Sequence, residues 1–218
     1  MKVKLVSYST PSTELEKEGL ENIQDLIAFC ARVSNPANQM NTETAERLLK
    51  YLIKNKHWSP FEMTSVCLEI ETTRDIARQI LRHRSFSFQE FSQRYANPVE
   101  ELCFELRDAR LQDLKNRQNS VATDDQNLQN EWNKHQQEVI DKAKEAYSWA
   151  IEHGIAKEQA RAVLPEGNTL SRIYVNGTIR SWIHYCELRG SNGTQKEHMD
   201  IAHACAEVIG KLFPIINM

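Results

Sequence analysis

The stretch of sequence that decides the fold covers residues 82–95 and reads RHRSFSFQEFSQRY. It holds three arginines, one histidine, one glutamate, three serines and three phenylalanines, and it has no lysine. Arginine offers a planar fork of donors that matches phosphate or carboxylate oxygens, whereas lysine is a hydrated point charge. The wider region between Lys56 and Lys115 has seven arginines and no lysine. This composition favours a site for a planar, phosphorylated ligand, and the alternative is that these arginines form salt bridges with acidic helices.

A predicted strand and helix lead into this stretch. Apolar and polar residues alternate over residues 66–71, which predicts a half-buried strand. Thr72 or Thr73 can cap a helix that ends near Arg84, and the run after it is loop or strand. Gln79 lies beside three arginines that share one helix face at four-residue spacing: Arg74, Arg78 and Arg82. Together these segments predict one cationic wall.

The motif in residues 82–95 resembles the signature of the flavin-dependent thymidylate synthases. Arg82-His83-Arg84, then seven residues, then Ser92 matches the core of that signature. The longer family pattern, Ser-x-Asn-Glu-x-Ser-x-Arg-Tyr, matches residues 87–95 with Gln89 in place of asparagine. Other family-like segments stand in the same order: HWSPFE at 57–62, ARAVLP at 160–165, the helix motif at 178–189 that ends in ELR, and TQKE at 194–197.

The resemblance implies conversion of dUMP to dTMP, with methylenetetrahydrofolate as carbon donor and FAD as redox carrier reduced by NADPH. It also implies a homotetramer with active sites shared between subunits. Arg189, His57 and Ser92 are the implied catalytic residues, and we expect Ser92 to bind nucleotide rather than attack it. The residues implied to bind dUMP are Gln79, Arg82, Glu90, Ser92, Gln93, Arg94, Arg161 and Arg189. Those implied to bind FAD are Ser59, Arg82, His83, Arg84, Ser85, Gln89, Glu90, Thr178, Arg180 and His184.

Three positions depart from the family pattern. Gln89 and Thr178 replace asparagines, and Gly193 stands where some members have a histidine that stacks on the flavin. These departures leave two other functions open. One is an NADPH-oxidising flavoprotein without methyl transfer, and the other is a single-stranded nucleic-acid-binding protein that uses the arginine and phenylalanine cluster.

Charge and cysteine content narrow these choices. A net charge of −3 argues against general nucleic-acid binding, which needs a broad basic surface. No apolar run approaches the roughly 20 residues that span a bilayer, and residues 1–4 lack the apolar core of a signal peptide. The five cysteines include no CxxC pair, which predicts reduced thiols and a cytoplasmic protein. None follows a proline or precedes a histidine, so no cysteine nucleophile is expected.

The expected fold is a single α+β domain over residues 1–218, with a central, mostly antiparallel sheet and packed helices. Strands are predicted near residues 2–8, 62–72 and 168–176. Helices are predicted over residues 22–33, with Asn22 as the cap, and over 42–55, 131–152, 176–189 and 194–213, whereas residues 10–19 are polar and turn-rich. Helical spacing predicts that one side of the 131–152 helix carries Trp132, His135, Val139, Ala143, Ala146, Tyr147 and Ala150. The predicted apolar face of the 176–189 helix consists of Ile179, Trp182, Ile183 and Cys186. That of the last helix consists of Ile201, Ala202, Cys205, Val208, Ile209 and Leu212. Residues 116–130 are rich in Asn, Gln, Asp and Ser and predict a mobile loop. No metal site is expected, because His198 and His203 are five residues apart and do not share a helix face.

Overall fold

A computed structural model describes residues 2–215 as a four-stranded antiparallel sheet with helices packed on it. The strands are β1 (Lys2–Tyr8), β2 (Ser65–Thr73), β3 (Ser87–Glu90), β4 (Arg110–Gln112), β5 (Ser120–Ala122) and β6 (Leu170–Thr178). The main sheet has the order β1-β2-β6-β3, and β4 and β5 form a separate hairpin. The α+β class and its antiparallel sheet are therefore confirmed.

The helices are α1 (Thr13–Lys17), α2 (Ile23–Ala31), α3 (Ala45–Lys54), α4 (Arg74–Ile80), α5 (Pro98–Glu101), α6 (Gln126–Glu152), α7 (Lys157–Ala160), α8 (Ile179–Arg189) and α9 (Lys196–Leu212). Short 3-10 turns occupy Pro36–Asn38, Ser59–Glu62 and Arg161–Val163. None of the helices within residues 2–215 combines the length and the hydropathy needed to cross a membrane.

The sheet is buried on one face, as the alternation in β2 predicts. Val66, Leu68 and Ile70 are fully buried, while the residues between them are only partly covered. The long pairing of β2 with β6 runs from Ser65 opposite Thr178 to Thr73 opposite Leu170. Burying a large aliphatic side chain stabilises a fold by about 1.5–3 kcal/mol, so this row of residues anchors the core.

Helix α8 is tied to the sheet through Trp182. Its side chain is fully buried, and its indole N–H donates to the Val66 carbonyl at 2.9 Å. The predicted apolar face of this helix, which consists of Ile179, Trp182, Ile183 and Cys186, is buried. The predicted face of α9 is buried at Ile201, Ala202, Cys205 and Ile209. The family-like segments that end at Arg189 and at Glu197 lie on these two helices or directly before them, so the packing of α8 and α9 fixes where those segments lie.

Several predicted boundaries are wrong. The strand predicted from residue 62 begins at Ser65, because residues 59–62 form a 3-10 turn. The helix predicted to end near Arg84 ends at Ile80, and the run that follows includes strand β3. Residues 13–17, expected to be a turn-rich segment, form α1, whose N-terminus is capped by the Ser12 side chain. The Asn22 cap of α2 is confirmed, since its side chain accepts from the backbone N–H groups of Gln24 and Asp25.

The loop predicted at residues 116–130 is shorter than expected. Ser120–Ala122 forms a strand that pairs with Arg110–Gln112, and α6 begins at Gln126. The Asp125 carboxylate caps α6 by accepting from the Leu128 backbone N–H at 3.0 Å. Capping of this kind stabilises a helix start by about 1 kcal/mol, which explains why a polar segment is helical.

The apolar stripe predicted for α6 is also partly wrong. The buried residues are Gln136, Ile140, Ala143, Tyr147 and Ala150, which follow one another at alternating spacings of four and three. Trp132 and Val139, both predicted to lie on the buried side, are exposed. Tyr147 and Ala150 pack with Ala160 and Leu164 in a second, smaller core.

Candidate active site

Residues from the two predicted motif regions meet at His83 and Arg189. Arg189 is the last residue of α8, and His83 lies in the turn after α4. The guanidinium Nε of Arg189 donates to Nε2 of His83 at 2.9 Å, across 106 positions of sequence. Burial, together with the positive charge of Arg189, lowers the pKa of His83, so its imidazole is a neutral acceptor at physiological pH.

A buried hydrogen-bond chain lies behind this contact. The Tyr185 hydroxyl is 3.1 Å from His198 Nε2, and His198 Nδ1 is 3.3 Å from Gln79 Oε1. Gln79 Nε2 donates to Gln195 Oε1 at 2.8 Å. His198 was not among the predicted site residues, although its position three and four residues before Ile201 and Ala202 places it on the buried stripe of α9.

The chain ends at Glu197, which is also buried. Gln195 Nε2 donates to Glu197 Oε2 at 3.0 Å, and Arg110 donates to Oε1. Burial alone would raise the pKa of Glu197. Hydrogen bonds from its own backbone N–H and from Gln195, with the positive charges of Arg107 and Arg110, outweigh burial and hold this pKa below its usual value. Glu197 is therefore a carboxylate, and Arg107 also pairs with Asp75 at 2.6 Å.

The predicted cationic wall on α4 is wrong for two of its three arginines. Arg74 is buried, with Nε 3.0 Å from Glu166 and NH1 3.7 Å from Glu90. Arg78 pairs with the same two carboxylates at 3.7 and 3.6 Å. Arg82 is exposed, and its guanidinium makes no hydrogen bond or ion pair with the residues that the structure describes. The salt-bridge alternative is thus correct for Arg74 and Arg78.

Glu90 sits at the edge of a cleft beside strand β3. Besides the two arginines, its carboxylate accepts from the Ser171 hydroxyl at 2.9 Å. The cleft has a volume of about 390 Å³ and includes the predicted residues Gln89, Glu90 and Ser92. Its other polar lining residues, which were not among the predicted site residues, are Tyr95, Arg172 and Tyr174, and of these Tyr95 belongs to the signature.

Three other predicted nucleotide-binding residues do not line this cleft. Gln93 is buried, and its side-chain nitrogen has no hydrogen-bond partner within residues 2–215. Arg94 is exposed and lies 3.5 Å from Glu158, and Arg161 is half-buried at the start of a 3-10 turn. A buried donor without a partner is costly in a folded protein and calls for an explanation, which a bound water, ion or ligand can supply.

Five of the ten predicted flavin-binding residues are exposed, and the other five are half-buried. Arg84, Ser85 and Ser59 are exposed, as is Arg82. Arg180 forms an ion pair with Glu62, and the His184 ring lies edge-on to Trp58 with centroids 4.6 Å apart.

Two further predicted residues have structural contacts of their own. Thr178 caps α8 by accepting from the Ser181 backbone N–H at 3.2 Å, and the Ser181 hydroxyl donates to the Ser85 carbonyl. His57, predicted to be catalytic, is exposed and lies edge-on to Tyr51. The structure therefore assigns Thr178 a local role in starting α8.

We sort eight of the predicted residues into two sets within one protomer. The Arg189 group consists of Gln79, His83 and Arg189, together with the hydrogen-bonded side chains of Tyr185, His198, Gln195 and Glu197. We call Glu90, Ser92, Gln93, Arg94 and Arg161 the Glu90 group. No hydrogen bond or ion pair between side chains joins the two groups in the part of the chain that the structure describes. Within residues 2–215, no three His, Cys, Asp or Glu side chains are grouped as metal ligands.

Comparison with known proteins gives consistent matches along nearly the whole chain. The family model described as "Thymidylate synthase complementing protein" matches residues 17–215. A probable flavin-dependent thymidylate synthase of Paramecium bursaria Chlorella virus 1 is 52% identical over 216 residues, covering 99% of this chain and 97% of that protein. A flavin-dependent thymidylate synthase of Synechocystis is 48% identical over the same shares of the two chains.

A solved structure also resembles the fold. The UMP/dUMP methylase PolB from Streptomyces cacaoi, bound with 5-Br dUMP, superposes with a TM-score of 0.81 and 25% identity. The match covers 99% of this chain and 92% of that chain.

Proposed function

Since the chain belongs to the flavin-dependent thymidylate synthase family, we propose that it methylates dUMP to dTMP, with methylenetetrahydrofolate as carbon donor and FAD and NADPH as the redox pair. The observation that carries the proposal is the hydrogen bond between His83 and Arg189. It joins the signature motif to the end of the α8 motif, and so brings together two of the segments in which the chain resembles the family.

The Glu90 group supplies hydrogen-bond donors of the kinds that bind a phosphomonoester. Arg94 and Arg161 offer charged donors, and Ser92 and Gln93 offer neutral ones. The unpartnered nitrogen of Gln93 supports a ligand here, because an acceptor oxygen would satisfy it. A hydrogen bond to a charged group contributes about 1.5–3 kcal/mol, so three or four of them are enough to anchor a small ligand.

Arg189 is the residue we assign to the uracil ring. Its guanidinium is held from behind by neutral His83, which accepts one N–H and leaves the other donors of Arg189 available. A fixed cation near the uracil carbonyls stabilises negative charge as it develops on the ring during reaction. The orientation that His83 imposes means that little reorganisation is needed when that charge appears.

The donor set of the signature fits a flavin dinucleotide. Arg82 and Arg84 are exposed cations without partners among the described residues, which suits a pyrophosphate. Ser59, Ser85 and Arg180 are hydroxyl and guanidinium donors for the rest of the cofactor. When bound, the flavin supplies the redox chemistry, while this chain supplies position and electrostatic field.

The cysteines support a reaction without an enzyme thiolate. Burial raises the pKa of Cys30 and Cys67, and burial with a nearby Glu187 charge raises that of Cys186 to about 12. The pKa of buried Cys205 is also raised, whereas Cys103 is exposed and lies outside both residue groups. A thiol nucleophile requires a lowered pKa, so four of the five are poor candidates. All five are free thiols, which fits our proposal of a cytoplasmic location.

We propose a homotetramer with active sites shared between subunits, as the resemblance to the family implies. In such an assembly, the phosphate donors of the Glu90 group and the ring-facing Arg189 would meet at an interface between copies of the chain. Most soluble homo-oligomers have closed symmetry, so the same interface would recur at each site.

The test is the absorption spectrum of the purified protein with FAD, repeated while dUMP is added. A flavin spectrum that dUMP perturbs saturably supports both ligands in one site, and dTMP formation then tests the full reaction. NADPH oxidation that never yields dTMP favours the flavoprotein alternative. Absence of flavin binding, with salt-sensitive binding of oligonucleotides, favours the nucleic-acid alternative.

A further inference from the structure

We propose that His198 is a positioning residue, which fixes the orientation of the Gln79 side-chain amide and thereby lets the site distinguish uracil from cytosine. The inference rests on the proposed function and on the contact with dUMP that the family resemblance implies for Gln79. His198 itself is fully buried within the Arg189 group, so it acts through Gln79 rather than on the ligand.

The hydrogen-bond chain from α8 to α9 links five side chains without a gap. From one end to the other these are Tyr185, His198, Gln79, Gln195 and Glu197. The first two and the last are buried. A buried polar group that loses its partner costs about 1–3 kcal/mol, so each link constrains the next.

The direction of each hydrogen bond follows from the carboxylate end. Glu197 is ionised and can only accept, so Gln195 turns its NH2 toward Glu197 and its oxygen toward Gln79. Gln79 must then turn its own NH2 toward Gln195. Its oxygen consequently faces His198, and no second orientation of the Gln79 amide satisfies both neighbours.

His198 holds the Gln79 amide from its other side, and we call this double restraint of Gln79 by Gln195 and His198 the lock. It donates from Nδ1 to Gln79 and accepts at Nε2 from the Tyr185 hydroxyl, which a neutral imidazole does with one N–H and one lone pair. Burial, with the charges of Arg189 and His83, lowers the His198 pKa to about 4. Burial also raises the pKa of Tyr185 well above its usual value, so both groups keep these roles at neutral pH.

A locked amide has consequences for base selection. After its two internal hydrogen bonds, Gln79 has one N–H and one oxygen lone pair left, each on a fixed side. Uracil presents an N3–H donor beside the O4 acceptor, whereas cytosine presents an N3 acceptor beside an amino donor. An amide that cannot rotate pairs with one pattern and opposes the other, whereas an amide that can rotate pairs with both.

Two variants break the lock in different ways. His198→Leu removes the donor that holds the Gln79 oxygen. Glu197→Gln is nearly isosteric, and it replaces an acceptor-only end with a group that also donates, so the direction of the chain is no longer imposed. The matched control is His203→Leu, the same substitution at an exposed histidine of α9.

The measurement is calorimetric titration of the FAD-loaded protein with dUMP and with dCMP. We expect the unmodified chain to prefer dUMP, and each lock variant to narrow the ratio of the two dissociation constants by roughly tenfold. We expect His203→Leu to leave the ratio unchanged. If His198 had only a structural role, its replacement would weaken the binding of dUMP and dCMP equally and leave the ratio of their dissociation constants unchanged.

The outcomes separate this inference from the proposed function. An unmodified chain that does not bind dUMP overturns the proposed function. If the unmodified chain binds dUMP and dCMP equally, the positioning role of His198 is overturned and the proposed function stands. The same follows if the lock variants keep the original ratio of the two dissociation constants. If His198→Leu does not fold, Glu197→Gln decides the question by itself.

Discussion

Replacing Arg189 with alanine is expected to remove nearly all turnover while FAD remains bound. Arg189 ends α8 and points its Nε at His83, so the substitution removes one cation and leaves the turn that carries the signature in place. Of the residues assigned to the flavin, His83 loses its hydrogen bond from Arg189, whereas Arg82 and Arg84 make no hydrogen bond or ion pair with Arg189 within residues 2–215. Loss of activity should therefore be separable from loss of cofactor.

Two energies set the size of this effect. Removing one preorganised donor from a developing negative charge lowers kcat by about 10²–10³, or about 2.7–4 kcal/mol. Removing the hydrogen bond that the charged Arg189 donates to neutral His83 costs about 1.5–3 kcal/mol of stability. The transition-state term is the larger, so we expect a folded protein that binds flavin and turns over at a small fraction of the original rate.

A second readout follows from charge. The Arg189 guanidinium adds to burial in lowering the pKa of His83. Arg189→Ala should therefore raise the pKa of His83 toward its ordinary value, and a pH titration of the His83 ring by NMR measures this. dTMP formation at saturating dUMP gives kcat, the flavin spectrum gives cofactor binding, and thermal unfolding gives stability. Arg117→Ala, at the exposed tip of the β4-β5 hairpin, is the matched control.

Unchanged turnover in Arg189→Ala would refute the role assigned to this guanidinium. Loss of both flavin binding and turnover would contradict the expectation that Arg189 is needed for turnover and not for cofactor binding. An unshifted His83 pKa would show that the contact between the two side chains does not persist in solution.

Three further perturbations have predictable results. Ser92→Ala should lower kcat/KM for dUMP by roughly tenfold without abolishing it, because Ser92 is assigned a binding hydrogen bond. Gly177→Ala should lower the free energy of unfolding by about 1–3 kcal/mol, because an added Cβ would overlap the Phe86 ring. The free energy of unfolding should also fall as the pH is lowered from 7 to 5, because His198 takes up a proton in the unfolded chain and not in the folded one. The unfolded chain protonates this histidine near pH 6.5 and the folded chain only at about pH 4, so its share of the loss between pH 7 and pH 5 is about 2 kcal/mol.

Each of these has a contrary outcome and a control. Complete loss of turnover in Ser92→Ala with dUMP still bound would favour a nucleophilic role. Denaturant unfolding of Gly177→Ala at the original midpoint would mean that the Phe86 ring moves aside without cost. For His198, the pH dependence of His198→Leu is subtracted from that of the unmodified chain, which removes the carboxylates from the comparison. Equal pH dependence in both proteins would contradict the buried, neutral state.

The parts of the fold that the sequence predicts are those set by neighbouring residues. Alternation in β2 marks its buried face, and helical spacing marks the buried faces of α8 and α9. The Asn22 cap is local too, because a cap bonds to backbone groups two and three residues ahead. Such signals depend on a few adjacent residues, so they survive in a single sequence.

The β4-β5 hairpin shows where local signals fail. Each strand has three residues, too few for alternation to be recognised, and the connecting turn is polar. What organises the turn is Asp113, whose carboxylate accepts from the backbone N–H groups of Lys115 and Asn116 and from the Asn119 side chain. These hydrogen bonds lower the pKa of Asp113. The same polar composition that suggests a loop therefore builds a defined turn.

The arginines of α4 show a different limit. Helical spacing correctly places Arg74 and Arg78 on one face, where they share Glu90 and Glu166, but it says nothing about which carboxylates approach them. Glu166 comes from a segment 92 positions away from Arg74 and neutralises it, while Arg82 is left without a partner among the described residues. Which arginine is available to a ligand is therefore decided by tertiary packing.

His198 combines both limits, and its position indicates what it provides. Its spacing from Ile201 marks it as buried, but its partners Tyr185 and Gln79 lie 13 and 119 positions away. An apolar side chain at such a core position would avoid the desolvation cost that a buried polar group incurs, and satisfied polar networks often contribute little net stability. What a fully satisfied chain does provide is a single orientation for each member. Because the Gln79 amide, which is assigned to the nucleotide, is held between His198 and Gln195 in the middle of that chain, we propose that the chain contributes to the geometry of the site rather than to the stability of the fold.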